Sequence, residues 1–191
     1  FEPLAGNYTI NMGGKTFLNN VRFNGAATAK WNLLNDLTIN NGFTTFLNQG
    51  ELYSNGYAVD FGLAFDFNNS NTKKLDFTGT ATVKVRRDWL GSGTGTTLVA
   101  GGALILLESS ANENLTFTGG SIATYGDVTV RHLHANNLTV TINGNNTFED
   151  INFEYTNRKD VTINGNNTFG SFTLVQDYSI TSNIPQHSIT G

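Results

Sequence analysis

Val140-Thr141-Ile142-Asn143-Gly144-Asn145-Asn146-Thr147-Phe148 recurs without a change as Val161-Thr162-Ile163-Asn164-Gly165-Asn166-Asn167-Thr168-Phe169. The step from position 140 to position 161 is 21 residues. A period near twenty belongs to solenoids, in which each repeat is one coil stacked on the last. The apolar residues around the repeat lie two apart: Leu138, Val140 and Ile142, then Ile151 and Phe153, then Val161 and Ile163, then Phe172 and Leu174. That is the period of a strand with one buried face, and a helical solenoid would need spacings of three and four. The segments between, 143–146 and 156–160, carry Asn, Gly, Asp and Thr suited to tight turns. The sequence therefore predicts an all-β fold, a single-stranded right-handed parallel β-helix with two or three short strands and two or more corners per coil.

Stacking explains why the repeat is strict. Coils lie about 4.8 Å apart, so equivalent residues sit on top of one another. Asn143 over Asn164 and Asn146 over Asn167 can form amide ladders, and Phe148 over Phe169 an internal aromatic column. Weaker copies extend the pattern towards the N-terminus. Leu75-Asp76-Phe77-Thr78-Gly79 resembles Leu115-Thr116-Phe117-Thr118-Gly119, which would place the two segments two coils apart in one column. Asp36-Leu37-Thr38-Ile39-Asn40 and Gly126-Asp127-Val128-Thr129-Val130 share an acid followed by alternation, and Phe61, Leu63, Phe65 and Phe67 read as one inward row. A period of about 21–23 residues gives roughly seven to nine coils. No composition shift or Pro-rich linker divides the chain, so residues 1–191 are expected to form one solenoid domain.

The composition suits this fold and excludes several functions. Charged residues make up 14% of the 191, against a usual ~25%. The 21 glycines and 2 prolines, with abundant Asn, Thr and Ser, favour strands and turns over helix. A net charge of −4 offers nothing to a polyanion, so no nucleic-acid partner is expected. Lys84, Arg86 and Arg87 beside Trp89 form a basic cluster, but Val83 and Val85 alternate with Lys84 and Arg86, as in a strand with one solvated face. With no cysteine there is no disulfide, thiolate metal site or cysteine nucleophile. The longest apolar stretch, 98–107, is broken by Gly101 and Gly102 and is too short to span a bilayer. A chain that opens on Phe1, without a signal-type segment, is expected to be processed or part of something larger.

Catalytic constellations are scarce along the chain. Polysaccharide cleavage on a β-helix needs converging carboxylates near a cation. The 15 acids are scattered. Glu149 and Asp150 are adjacent and would point to opposite faces of a strand, whereas Asp60 and Asp66 alternate with Phe61, Phe65 and Phe67 and read as an outer face. His132 and His134 could share a face but have Arg131 beside them and no third ligand nearby, and His187 is distant. They read as solvent-facing or turn histidines. Gly91-Ser92-Gly93-Thr94-Gly95 lacks both the dinucleotide spacing and a phosphate-binding lysine, and reads as a flexible corner. The calcium-binding nonapeptide of toxin β-rolls is absent. The sequons at Asn7, Asn114, Asn137, Asn145 and Asn166 include two in the repeated turn, where the threonine has a structural use. No catalytic, cofactor-binding or metal residue is assigned, no cofactor is required, and the chain is expected not to be an enzyme.

Trp31-Asn32-Leu33-Leu34-Asn35-Asp36-Leu37-Thr38-Ile39, Gly50-Glu51-Leu52-Tyr53-Ser54-Asn55-Gly56-Tyr57, and Leu115-Thr116-Phe117-Thr118-Gly119-Gly120 resemble large cell-surface repeat proteins of gliding bacteria that use type IX secretion. The Asn-Gly-Asn-Asn-Thr-Phe turn followed by Asp150-Ile151-Asn152-Phe153 fits that family too, and the likeness covers most of residues 15–175. It implies an exported, adhesin-like β-helix, located extracellularly or at the cell surface, with no assigned catalytic residue. The expected role is a structural or adhesive segment whose partners are a surface polysaccharide or neighbouring domains of the same protein. Two alternatives from other classes are a carbohydrate-binding module that uses exposed aromatics such as Trp31, Tyr53, Trp89 or Tyr125, and a phage spike or fibre module.

Overall fold

The structure is a computed structural model that describes residues 1–2, 4–120, 124–136, 138–155, 160–175, 179–182 and 187–189. The chain winds as a parallel β-solenoid of about seven turns, with about 23 residues per turn. The described residues contain no helix, and so none long and apolar enough to cross a membrane. Three faces run along the axis. Face A stacks Gly6–Ile10, Ala29–Leu33, the second half of Thr44–Tyr53, Lys73–Asp76 and Thr96–Val99. Face B is the longest, from Thr16–Phe17 through Val59–Asp60, Leu104–Ser109, Val128–His132 and Asn167–Leu174 to His187–Ile189. Face C runs from Val21–Asn24 through Ala64–Asp66, Leu115–Thr118 and Thr139–Asn143 to Ser179–Ser182.

The core is a set of columns in which each buried side chain rests on its equivalent in the next coil. On face B, Leu37, Val59, Val83, Ile105, Val128 and Ile151 form one unbroken column. On face C, Phe65, Trp89, Phe117, Ile142 and Ile163 form another, with Trp89 stacked on Phe117 at 5.8 Å between ring centroids. Burying each such side chain contributes about 1.5–3 kcal/mol, so the columns hold the coils together without helices or disulfides.

The exact repeat is one coil. Val140 pairs with Val161 and Phe148 with Phe169, and the two phenyl rings stack at 5.5 Å with planes 3° apart. Both amide ladders form. Asn164 Nδ2 donates to Asn143 Oδ1 at 2.8 Å, and Asn146 Nδ2 to Asn167 Oδ1 at 2.7 Å. The glycine in the turn is obligatory: Gly165 has φ +94°, and a β-carbon there would lie 1.9 Å from the Gly144 carbonyl oxygen.

Other coils are less regular. Ile105 pairs with Val128 on face B at an ordinary coil length, whereas on face C the step from Asp88 to its partner Thr116 is longer. The expected two-coil column of Leu75 and Leu115 is therefore corrected: Leu75 stacks on face A between Leu52 and Leu98, and Leu115 lies on face C beneath Val140. Leu37 and Val128 do share the face B column. Leu63 is half-buried and leaves the inward row of Phe61, Phe65 and Phe67, because the corner at Gly62, φ +75°, resets the alternation. The turn expected at 156–160 lies outside the described residues except for Asp160, which begins a strand.

Two substitutions test this packing. Phe148→Ala removes a ring only 1% exposed and should destabilise the chain by about 3–5 kcal/mol in denaturant titrations; a midpoint equal to that of the parent protein would contradict the column. Asn167→Ala takes away the acceptor for both the side chain and the backbone N–H of Asn146. It should cost about 1–3 kcal/mol, clearly more than Asn145→Ala at an exposed position of the same turn.

Candidate functional site

Polar chemistry concentrates on the outside of face B. Lys84 faces Asp60 on the coil below, and its Nζ reaches Glu108 Oε1 on the coil above at 2.5 Å. Arg131 stands in register between Glu108 and Glu154 and donates to both, at 2.9 Å and 2.6 Å. Lys84 itself is in register with Leu106, so two in-register runs, Asp60–Lys84 and Glu108–Arg131–Glu154, are joined by the diagonal Lys84–Glu108 pair, and the signs alternate from coil to coil along them. Stacked like charges would repel, so alternation is the arrangement a parallel ladder permits. Each partly exposed pair contributes about 0.2–1 kcal/mol, enough to favour one register but too little to drive folding.

The environments of these acids differ. The hydrogen bond from Lys84, with help from Arg131, holds Glu108 below the usual carboxylate range. Burial pushes Asp60 the other way, and its Oδ1 accepts the Gly62 N–H at 2.9 Å. Of the basic cluster, Lys84 belongs to this arrangement, whereas Arg86 and Arg87 lie at the corner that leads to face C. Val83 and Val85 are buried and Lys84 lies outward, as the alternation predicts, while Arg87 Nε donates to Asp88 at 2.6 Å.

The remaining candidates are dispersed. Asp60 is on face B and Asp66 on face C, each accepting the N–H two positions ahead in a local turn. Glu149 and Asp150 are both exposed, not on opposite faces, because strand pairing is interrupted at Glu149 between Phe148 and Asp150. His132 is fully buried, which corrects the solvent-facing expectation. Its Nε2 lies 2.8 Å from the Glu113 carbonyl oxygen, while His134 is half-buried. The side chain of His187 lies outside the described residues, as does Asn137. Among the described residues no three His, Cys, Asp or Glu side chains come together as a metal set.

Three of the four aromatics considered for sugar stacking belong to the core. Trp31, Trp89 and Tyr125 are at most 1% exposed. Tyr53 is half-buried, with the ammonium groups of Lys30 and Lys74 5.7 Å and 4.7 Å from its ring centroid. The glycine-rich segment at 91–95 forms a corner, where the backbone approaches the coil below closely: a β-carbon at Gly93 would lie 2.1 Å from the Asn69 carbonyl oxygen.

Sequence reasoning missed Lys73, which is buried on the inner side of face A. Its Nζ donates to Asn69 O, Asn69 Oδ1 and Asn71 O at 2.7–2.8 Å and ties down the preceding corner. It also missed the charge ladder, whose members Glu108, Arg131 and Glu154 follow one another at the local coil length.

Glu108 and Asp60 should affect acid stability in opposite senses. With its folded pKa depressed, Glu108 adds stability above its unfolded value near 4.5, and this is lost as pH falls through the lower folded value. Asp60, raised above 3.8, costs stability at neutral pH, and that cost is relieved as pH falls through its folded value towards 3.8. In chemical denaturation from about pH 7 to about pH 3, Glu108→Gln should therefore lose most at neutral pH and converge on the parent protein in acid. Asp60→Asn should be at least as stable as the parent protein at neutral pH, with its advantage shrinking in acid. The reverse ranking would contradict these environments.

No family model, curated protein or solved structure matches the chain.

Proposed function

We propose that this chain is a rigid structural and adhesive β-helix segment of an exported bacterial surface protein, of the kind it resembles in gliding bacteria, and has no catalytic role. The observation that carries the reading is the continuity of the ladders. Apolar columns run along the axis, amide pairs join the two coils of the exact repeat, and charges alternate over the coils from Asp60 to Glu154. Such pairing fixes length and direction. About seven turns at about 4.8 Å give a body roughly 35 Å long that does not depend on a bound ligand to stay extended. Few charges and many Asn and Thr also suit a surface that remains hydrated without attracting polyions.

The test exchanges the segment within its parent protein on living cells. An unrelated β-solenoid of equal turn number should preserve attachment to a surface under flow, and a flexible Gly/Ser segment of the same residue count should reduce it at least tenfold. An epitope tag inserted in an exposed corner of the segment should be labelled by antibody on intact cells. Full attachment with the flexible segment would reject a rigid role, and a tag that is labelled only after the cells are permeabilised would reject surface exposure.

A further inference from the structure

The outer surface of face B is interrupted at Ala58. Asp36, Ala58 and Thr82 occupy equivalent positions on three consecutive coils, as the flanking pairs of Leu37 with Val59 and Val59 with Val83 require. Thr38, Asp60 and Lys84 form the next outward row. In the first row the middle residue is an exposed alanine, shorter than both neighbours. The gap above its methyl group is a depression of about 220 Å³ bordered by all six residues.

The groups around it are incompletely used. Asp36 Oδ1 accepts the Ala58 N–H and Asp60 Oδ1 the Gly62 N–H, both at 2.9 Å. No protein donor among the described residues reaches either second carboxylate oxygen, and the hydroxyls of Thr38 and Thr82 have no protein partner there. Lys84 spends one ammonium proton on Glu108, leaving two. The depression thus presents two free anionic acceptors, two hydroxyls that donate and accept, and a cationic donor, over an apolar floor. A metal ion calls for a cage of oxygen acceptors without an ammonium on its rim. A phosphate, sulfate or uronate would meet two carboxylates. A neutral ring with adjacent hydroxyl groups uses every group present, its O–H groups donating to the carboxylates and its oxygens accepting from Lys84 and the threonines.

We propose that this depression is a binding subsite for one neutral sugar residue of a polysaccharide. Asp60 is the central acceptor. Half-buried and short of a donor, it gains most from a ligand hydroxyl. The shallow site and the absence of an aromatic platform set the affinity for a single sugar at about the millimolar level. The assignment is independent of the rod-like role proposed above, and failure of the segment exchange would leave it standing.

The experiment is a titration of the isotope-labelled chain with glucose, galactose, mannose, N-acetylglucosamine and their short β-linked oligomers, followed through backbone amide NMR shifts. Saturable shifts should centre on Thr38, residues 58–62 and residues 82–84. Ala58→Leu, at an exposed position, should fill the depression and abolish them while core amide shifts stay unchanged. Asp60→Asn, which keeps an acceptor for Gly62, should weaken binding about tenfold, and it supplies the test if the leucine variant does not fold. No shifts with any of these sugars, shifts centred elsewhere, or binding that survives both substitutions would overturn the proposal. So would shifts at these amides produced by calcium chloride and not by sugars.

Discussion

Parallel, in-register pairing between consecutive coils is the constraint on which the rest of the molecule depends. Once one coil is hydrogen-bonded over the last, every side chain has a fixed neighbour above and below at about one strand spacing. The face B column from Leu37 to Ile151 and the face C column from Phe65 to Ile163 are the apolar result. A small change in one ring or methyl group is felt on two interfaces at once, because the same side chain packs upward and downward.

The same constraint sorts the polar residues by what they can tolerate in a stack. Asparagine carries a donor and an acceptor on one amide, so identical residues can pair indefinitely, as Asn143 with Asn164 and Asn146 with Asn167 do. A carboxylate has only acceptors and cannot stack on its own kind without repulsion, so Glu108 and Glu154 are separated by Arg131. Lysine is more awkward still on the inside. Lys73 is accommodated because the corner at 69–71 turns three oxygen atoms towards its ammonium group, while burial lowers the affinity of that group for its proton. In these rows the hydrogen-bonding capacity of each polar type closes either with itself or with an opposite.

How much of this was legible in the sequence depended on whether coil length was constant. Where one coil copies the last, as from Val140 to Val161, the exact repeat revealed the strand pairing, the amide ladders and the Phe148–Phe169 stack. Where corners vary, similarity misled: Leu75 and Leu115 share neighbours in sequence but occupy different faces, since the coil joining Asp88 to Thr116 is lengthened. Corners also reset the in–out parity of a strand. Alternation alone could not say that Trp31, Trp89, Tyr125 and His132 are buried, or that Asp60 and Asp66 look out from different faces. The charge ladder escaped notice because residues a whole coil apart form no local pattern, and Lys73 because only the folded corner brings its acceptors together.

Stacking also limits where such a molecule can recognise anything. A row whose members satisfy one another has little unspent hydrogen-bonding capacity for a ligand, and apolar rows are turned inward. Free capacity arises where a row is broken, by a residue too short to reach its neighbours or by a corner of different length. Ala58 is such a break, standing between Asp36 and Thr82 and beside Asp60, whose second oxygen has no protein donor among the described residues. Rigidity and recognition then need not compete on this scaffold. Parallel pairing of the three coils and the face B column of Leu37, Val59 and Val83 keep the walls of the depression in place, and the short side chain at position 58 leaves its polar rim open. The exposed alanine at position 58, read against the registered positions of the coils on either side, is therefore what draws attention to this surface, whereas Trp31, Trp89 and Tyr125 are taken into the core.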